Sequence, residues 1–147
     1  MDPLRRPDPL RRADPLAASL RMAQRAIDNQ STRMRVVSEN LANAHSTGTR
    51  PGEDAYRRKT VSFALVAAEQ GSGPRARIGT DRSDLPVRHD PDHPAADADG
   101  MVRMPNVSPL VEMADMREAS RLFDANVQVV RQTRELINTT IDLLRNR

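Results

Sequence analysis

Cysteine and tryptophan are absent from this 147-residue sequence, and other aromatic residues are few: Tyr56, Phe63 and Phe123 are the only ones. Without cysteine the protein has no disulfide and no thiolate chemistry in any compartment. Aromatic side chains usually supply much of a compact core, so their scarcity argues against a large globular interior. No stretch approaches the roughly 20 apolar residues of a membrane-spanning helix, and we expect no membrane insertion.

Recognisable signatures of catalysis are also missing. There is no P-loop, no dinucleotide-binding fingerprint and no Gly-x-Ser-x-Gly elbow. One stretch suggests a site, because His89 and His93 stand among aspartates. Pro91 and Pro94 exclude a regular helix there and the calcium-loop template does not fit, so a polar turn held by aspartate side chains is favoured over a metal site. We expect no catalytic residue, no cofactor, no metal and no enzyme.

Positive charge comes almost entirely from arginine, since Lys59 is the only lysine. The formal net charge is only +3, because the arginines are interspersed with acidic residues. This pattern favours a solvated or intersubunit surface and predicts no nucleic-acid partner. The densest basic run, 57–59, has Tyr56 as its one aromatic neighbour and makes no base-stacking platform. The early arginine pairs are not followed by an uninterrupted apolar run, so no cleaved signal peptide is predicted.

Glycine and proline divide the chain into four segments. All six glycines lie between Gly48 and Gly100, and neither of the two long helical stretches has an interior proline. We predict a Pro/Arg-rich repeat arm over 1–15, an N-terminal helix over 16–45, a loop and short-strand insert over 46–107, and a C-terminal helix over 108–147. The strand candidates within the insert are 56–65, 75–78, 85–88 and 101–104.

The first segment is a six-residue tandem repeat. Asp-Pro-Leu-Arg-Arg begins at Asp2 and again at Asp8, and Asp14 starts a third, incomplete copy. A proline in every copy prevents a continuous helix. Two interpretations stay open: a flexible arm, or an arm that becomes ordered against neighbours in an assembly.

Both predicted helices carry an apolar heptad pattern, which asks for a partner helix from the same chain, from other chains, or from both. We therefore predict a mainly α fold in which two long terminal heptad helices form a coiled-coil-like pair, with a small β-strand and loop insert between them. Gln30 and Arg134 are polar residues at seam positions, where such residues fix register or oligomer state, unless Arg134 reaches out to solvent. The seam positions are Leu20, Ala23, Ile27, Gln30, Met34, Val37, Leu41 and Ala44 in the first helix, and Met113, Met116, Ser120, Phe123, Val127, Val130, Arg134, Ile137, Ile141 and Leu144 in the second.

Several stretches, in this order along the chain, resemble one protein family. Residues 38–44, with the sequence Ser-Glu-Asn-Leu-Ala-Asn-Ala, are similar to the N-terminal motif of the bacterial flagellar axial proteins, which include rod, hook and hook-associated proteins. The resemblance covers about Leu16 to Leu144. The repeat arm is longer than the family's usual start, so either the true start is later or this rod carries an extra arm. The stretches that narrow the resemblance to the proximal-rod proteins are 30–34, 55–59, 90–102, 104–107 and 112–126.

The resemblance implies a structural subunit of the basal-body proximal rod, the drive shaft that transmits torque and forms the wall of the export channel. It implies assembly with copies of itself and with other flagellar rod proteins, near the export apparatus and the MS-ring base. It also implies uncleaved type III export from the cytoplasm to the rod in the periplasmic space. The terminal helices would form the inner tube wall, with the middle region outside. The alternative is a soluble coiled-coil adaptor or export chaperone, which would be stably helical alone.

The resemblance also carries an expected set of assembly residues. Asn40, Leu41, Asn43 and Ala44 are a helix-end contact set. The asparagines either satisfy the last carbonyls of the first helix or bond across subunits. The other expected interface residues are Gln30, Arg33, Met34, Tyr56, Arg57, Glu112, Met113, Met116, Phe123, Asn126, Val127, Val130, Arg134, Ile137, Ile141 and Leu144.

Overall fold

A computed structural model describes residues 15–64 and 73–145. The repeat arm up to Asp14 and the last residue of the first strand candidate, Leu65, lie outside this part of the chain. The prediction of a mainly helical chain with a small strand insert is confirmed. The elements are α1 (Pro15–Ala42), β1 (Lys59–Ala64), β2 (Arg75–Thr80), β3 (Val87–His89), β4 (Met101–Arg103) and α2 (Pro109–Arg145).

The two helices begin and end where the sequence supplies suitable groups. Each begins on a proline, whose fixed φ and missing N–H suit the first helical position. At the start of α2 the Ser108 carbonyl accepts the Glu112 N–H at 3.0 Å. At the end of α1 the Asn43 side chain donates to the Glu39 carbonyl at 2.9 Å. The same carbonyl also accepts the Asn43 N–H at 3.1 Å, so Asn43 closes the last turn of α1 with both its backbone and its side chain.

The insert forms two separate antiparallel sheets of two strands each. β1 and β2 pair from Lys59 opposite Thr80 onward, and β3 pairs with β4. Gly100 precedes β4 with a φ of +71°, and a Cβ placed there would lie 3.1 Å from the Pro91 side chain. Both the backbone conformation and the lack of space therefore require glycine at this turn.

The helices α1 and α2 pack against each other in opposite directions. Asn40, near the end of α1, contacts Glu112 in the first turn of α2, and the first turns of α1 share a groove with Asn126 and Val129. α2 has 37 residues and α1 has 28, so α2 is about 14 Å longer at 1.5 Å per residue and extends past the start of α1. Whether the pair winds as a coiled coil stays a prediction.

The face of α2 that lies against α1 coincides only in part with the expected seam. At three of the ten expected positions the preceding residue is buried instead: Glu112, Ala119 and Thr133 are buried, whereas Met113, Ser120 and Arg134 are exposed. Small and hydrogen-bonding side chains on this face let α1 come close, and the larger apolar side chains are left on the flanks. The large apolar side chains of α2 that stay exposed are Leu110, Val111, Met113, Leu122, Val129, Leu136, Ile141, Leu143 and Leu144.

The buried apolar residues are small. Apart from Leu85 and Pro105 they are all alanine or valine, which agrees with the expectation that the chain has no large globular interior. None of the described helices has both the length and the apolarity required to cross a membrane. The buried apolar set of the described chain is Ala23, Val36, Val37, Ala44, Ala55, Leu85, Ala95, Val102, Pro105, Ala119 and Val130.

Candidate assembly interface

A cluster of polar side chains joins the end of α1, the approach to β1 and the first turns of α2. Local geometry places its members on common faces. Residues two apart in an extended segment share a face, and residues three, four or seven apart share a face of a helix. Ion pairs and hydrogen bonds connect all the members. We call this cluster the polar junction, and its members are Arg33, Asn40, Tyr56, Arg58, Glu112 and Asp115.

Glu112 lies at the centre of the polar junction, and its side chain is fully buried. One carboxylate oxygen accepts from Arg58 Nε at 2.6 Å and the other from Asn40 Nδ2 at 3.0 Å. Asp115 adds a second acidic group, 3.0 Å from Arg33 and 3.6 Å from Arg58. A buried carboxylate persists only when its charge is paired and its oxygens are hydrogen-bonded. These contacts therefore tie the start of α2 to both α1 and the segment leading into β1.

Asn40 uses all four hydrogen-bonding positions of its amide. Its Nδ2 donates to the Lys59 carbonyl at 2.8 Å as well as to Glu112, and its Oδ1 accepts the Lys59 N–H at 2.8 Å and the Tyr56 hydroxyl at 2.9 Å. Only 1% of the residue is exposed. Of the two expected roles for the motif asparagines, the first describes Asn43, whose side chain bonds to the Glu39 carbonyl in the last turn of α1. Asn40 takes neither, because its bonds run to the strand and to α2 of the same chain.

The electrostatics around the polar junction keep Tyr56 in its neutral form. Burial, followed by the charge of Glu39, raises the pKa of Tyr56 above its ordinary value of 10.0. The phenol therefore stays a hydrogen-bond donor to Asn40 at any physiological pH. A hydrogen bond from Lys59 to Glu39 raises the pKa of Lys59, so this pair adds an ionic contact between β1 and α1.

The loops of the insert are held by side chains that bond to the backbone. Asn106 accepts the Arg58 N–H at 2.8 Å and donates to the Ser83 hydroxyl at 2.9 Å, so the segment before α2 is joined to the segment before β1. Asp97 accepts the N–H groups of Asp99 and Met101 at 3.0 and 2.9 Å, which is the kind of aspartate-held turn that the sequence predicts. Within residues 15–64 and 73–145, no three acidic or histidine side chains are grouped as a metal site would need.

The structure brings only part of the expected interface set together. Arg33, Asn40, Tyr56 and Glu112 meet in the polar junction, whereas Arg57 instead contacts Asp54 and the Ser83 carbonyl. At the end of α1, Ala44 is buried, Asn43 is half-buried and Leu41 is exposed. Along the helices the half-buried or buried members are Gln30, Met34, Met116, Phe123, Asn126, Val127, Val130 and Ile137, and the exposed members are Met113, Arg134, Ile141 and Leu144.

Sequence reasoning missed three residues that hold the site together: Arg58, Asp115 and Asn106. A signal existed for two of them. Arg58 lies two residues after Tyr56 in an extended segment and Asp115 lies three residues after Glu112 in a helix, so each shares a face with a residue that was expected at the site. Asn106 is placed by the path of the long loop, for which the sequence offers no comparable periodicity.

The seam of α1 contains one polar atom with no partner. Gln30 is half-buried, and its Oε1 atom is buried without a hydrogen-bond partner in the described structure. An unpaired buried acceptor is destabilising. Gln30 is therefore unfavourable for stability at its seam position, and its role in fixing register stays a prediction.

An apolar stripe runs along one flank of α2. Leu122, Val129, Leu136 and Leu143 follow one another at intervals of seven residues, and all four are exposed. At about 100° per residue they lie roughly 60° from the buried positions Ala119 and Thr133. α1 therefore covers the centre of the apolar face of α2 but leaves this flank uncovered. We call these four residues the α2 stripe.

Comparison with known proteins identifies the family. Residues 98–143 match the family described as "Flagellar basal body rod FlgEFG protein C-terminal". The chain is 54% identical over 132 residues to the flagellar basal-body rod protein FlgC of Agrobacterium fabrum, covering 88% of this chain and 95% of that protein. It is 35% identical over 143 residues to FlgC of Bacillus subtilis, with coverages of 85% and 95%. FlgC of Salmonella typhimurium is 37% identical over 125 residues, with coverages of 83% and 92%.

The family match and the matches to the three relatives agree with each other and with the architecture. The family match falls on β4, α2 and the segment between them, and the relatives extend it over most of the chain. The chain therefore belongs to the FlgC family of flagellar basal-body rod proteins, a family of structural subunits of the rod and not of enzymes.

Proposed function

We propose that this rod subunit belongs to the proximal part of the rod, where α1 and α2 lie in the inner wall of the tube and the insert lies outside them. In this position the subunit transmits torque and forms part of the channel wall. Its neighbours are other rod proteins and further copies of itself, close to the MS-ring base and the export apparatus. The observation that carries this proposal is the α2 stripe, whose four side chains are 40–69% exposed in the described chain.

The apolar face of α2 is wider than one neighbouring helix can cover. The α2 stripe lies on one flank, and Met113, Val127 and Ile141 lie about 60° beyond the buried face on the other. Burying exposed apolar surface is favourable by about 25 cal/mol per Å², so both flanks favour association. In α2 the centre of the apolar face packs against α1, and an apolar flank remains on each side. Such a helix fits a packed wall of helices better than an isolated pair.

Among the described residues none covers the far end of α2, where every residue from Asn138 to Arg145 is exposed. Because α1 begins at Pro15, it does not reach the last turns of α2, where Leu143 and Leu144 are 69% and 71% exposed. Such a helix end is weakly stable by itself, since most helical stability in proteins comes from packing. We therefore propose that the end of α2 gains helix when neighbouring subunits cover it. A soluble adaptor or chaperone would have no need of this uncovered end, and family membership does not favour that alternative.

We further propose that the protein reaches the rod by export from the cytoplasm without cleavage, and that it occupies the periplasmic part of the basal body. Family membership supports this route. Mass spectrometry of the subunit from purified basal bodies tests the route directly. A mass equal to that of the full chain is expected, and a mass that shows an N-terminal truncation would contradict uncleaved export.

The α2 stripe is tested by complementation of a deletion strain. We expect the wild-type gene to restore swimming and complete rods in electron micrographs of basal bodies. The double variant Leu136→Glu/Leu143→Glu should restore neither, because each glutamate places a charge on a surface that assembly buries. Asn138→Glu is the matched control, since it adds the same charge at an exposed position about 140–160° around α2 from the two substituted leucines and should complement fully.

Two outcomes decide the matter. Normal rods from the double variant would refute the role of the stripe. Complete rods in the deletion strain itself, with no second copy of the gene, would refute the rod assignment of this chain. Far-UV circular dichroism of each purified variant confirms that the charges have not unfolded the subunit, since both substituted leucines are exposed and make little contribution to its own fold.

A further inference from the structure

Two asparagines on one face of α1 bond to the backbone of the β1–β2 hairpin in the manner of neighbouring strands. Asn29 donates from Nδ2 to the Pro74 carbonyl at 2.7 Å and accepts the Ala76 N–H at 2.9 Å. Asn40 donates to the Lys59 carbonyl and accepts the Lys59 N–H, both at 2.8 Å. A side-chain amide has the same donor and acceptor groups as a peptide unit. Each asparagine therefore pairs with strand backbone as a further strand would.

The spacing of the two asparagines matches the spacing of their targets. They are eleven residues apart, close to three full turns, so they lie on one face of α1 about 16 Å apart. Asn40 holds β1 at the Lys59–Thr80 end of the hairpin, and Asn29 holds β2 at Ala76, which pairs with Phe63. Four residues separate these two rungs, or about 14 Å along the strands. The hairpin therefore lies along α1 with one contact near each end.

We propose that Asn29 and Asn40 are positioning residues that together form a two-point clamp and fix the direction of the hairpin on α1. A single contact would leave the hairpin free to pivot. Two contacts at opposite ends, on different strands, prevent that rotation. The clamp is inside the subunit, because Asn29 and Asn40 are 7% and 1% exposed. It assigns to the first asparagine of the 38–44 motif a role within the chain.

The clamp has a consequence for the rod that rests on the proposed function. If the helices lie in the tube wall and the insert lies outside them, a tangential force on the hairpin must pass into α1. The clamp provides that path through four hydrogen bonds to backbone groups, two from each asparagine. Rotation of either side-chain amide would have to break both of its bonds together. A loosened hairpin would yield under load even in a rod of normal length.

Hydrogen exchange of the purified full-length protein tests the clamp independently of any role in the rod. Asn29→Leu keeps the approximate size of the side chain and removes both hydrogen bonds, and Asn138→Leu makes the same substitution at an exposed position of α2. In Asn29→Leu we expect amides of 59–64 and 75–80 to exchange about tenfold faster, while helix amides change less than about twofold. Asn138→Leu should change neither set.

Two results would overturn the clamp, and a second variant covers a failure to fold. Unchanged hairpin exchange in Asn29→Leu would overturn the clamp and leave the proposed function standing. Uniformly faster exchange in hairpin and helices would show a general loss of stability, which also overturns it. If Asn29→Leu is not recovered folded, Asn29→Ser is measured instead, because its hydroxyl is too short to bridge both backbone groups and the same selective effect is expected.

The load path is tested in the complemented deletion strain. We expect the Asn29→Leu strain to form complete rods and to lose swimming speed more steeply than wild type as the medium is thickened with a viscous polymer. The Asn138→Leu strain should follow the wild-type curve. An identical dependence on viscosity in all three strains would refute the load path, whereas failure of the wild-type gene to restore rods would instead count against the proposed function.

Discussion

The Arg58–Glu112 pair provides the sharpest test of the polar junction. Replacing Glu112 with leucine removes a fully buried carboxylate that accepts hydrogen bonds from Arg58 at 2.6 Å and Asn40 at 3.0 Å. Breaking a buried pair from one side typically costs about 3–5 kcal/mol, because the other charge is left unpaired. Here Arg58 keeps Asp115 at 3.6 Å, and its side chain is 24% exposed. Both circumstances reduce the penalty.

The expected loss in the free energy of unfolding is therefore about 2–3 kcal/mol for Glu112→Leu. The double variant Arg58→Met/Glu112→Leu removes both charges and fills the space with apolar groups. Its loss should be smaller than the sum of the two single losses by at least about 1 kcal/mol. Such a difference is the signature of a direct interaction, because two unrelated substitutions would simply add.

Urea unfolding followed by far-UV circular dichroism measures these quantities in the purified protein. The matched control is Glu118→Leu, an identical substitution at an exposed position of the same helix, which should change stability by less than about 0.5 kcal/mol. A loss of that small size in Glu112→Leu would refute the reasoning. Strict additivity of the two single variants would also refute it, since the contact between the two side chains would then contribute nothing.

Three other predictions concern the loops and the hydrogen bonds around α1. The pKa of Glu53 lies below its ordinary value of 4.5, chiefly because its carboxylate accepts the Thr49 N–H. The contribution of this contact to stability is therefore complete above pH 4.5 and is lost as pH falls through the lower folded pKa. Nuclear magnetic resonance should show the Thr49 amide signal shifting in that acidic range, and no such shift is expected in Glu53→Gln. Gly100→Ala should lower the free energy of unfolding by about 1–3 kcal/mol, and by more than Gly52→Ala does. Both glycines have positive φ, but only Gly100 has side chains within 3.4 Å of the added methyl group. Equal losses in urea unfolding would contradict this reasoning. Tyr56→Phe should lower the free energy of unfolding by about 0.5–1.5 kcal/mol in the same assay, because Asn40 Oδ1 no longer accepts a hydrogen bond from the phenol. No loss would mean that water replaces the phenol.

Much of the architecture could be predicted because it depends on local rules. Proline at the helix starts, glycine confined to the insert and the heptad pattern were sufficient to predict two long terminal helices with short strands between them. The buried face of α2 could not be located so well. Heptad patterns mark the apolar positions, and in α2 these form a broad face that includes Leu122 as well as Phe123. Which part of a broad face meets α1 depends on the size of Ala119 and on the bonds of Glu112, and both are tertiary effects.

The sequence predicted several residues that belong to the candidate site, but it did not predict how they are arranged. Resemblance directed attention to Asn40, Tyr56 and Glu112, but it suggested contacts between subunits. The structure shows that these three residues bond to one another or to shared partners within one chain. Their separation in sequence is large, so no periodicity connects them. Only the fold shows that the end of α1 and the start of α2 meet, and only then does the hydrogen-bonding capacity of each side chain identify its partner.

An interior composed mainly of alanine and valine also bears on the export route proposed above. Each of these side chains buries little surface, so opening the subunit exposes little apolar area and requires correspondingly little work. A protein that travels through a channel narrower than its folded width must be opened before it enters. The same small side chains that make the isolated chain easy to unfold are no disadvantage at the destination, because neighbours can then supply the contacts that the subunit lacks alone.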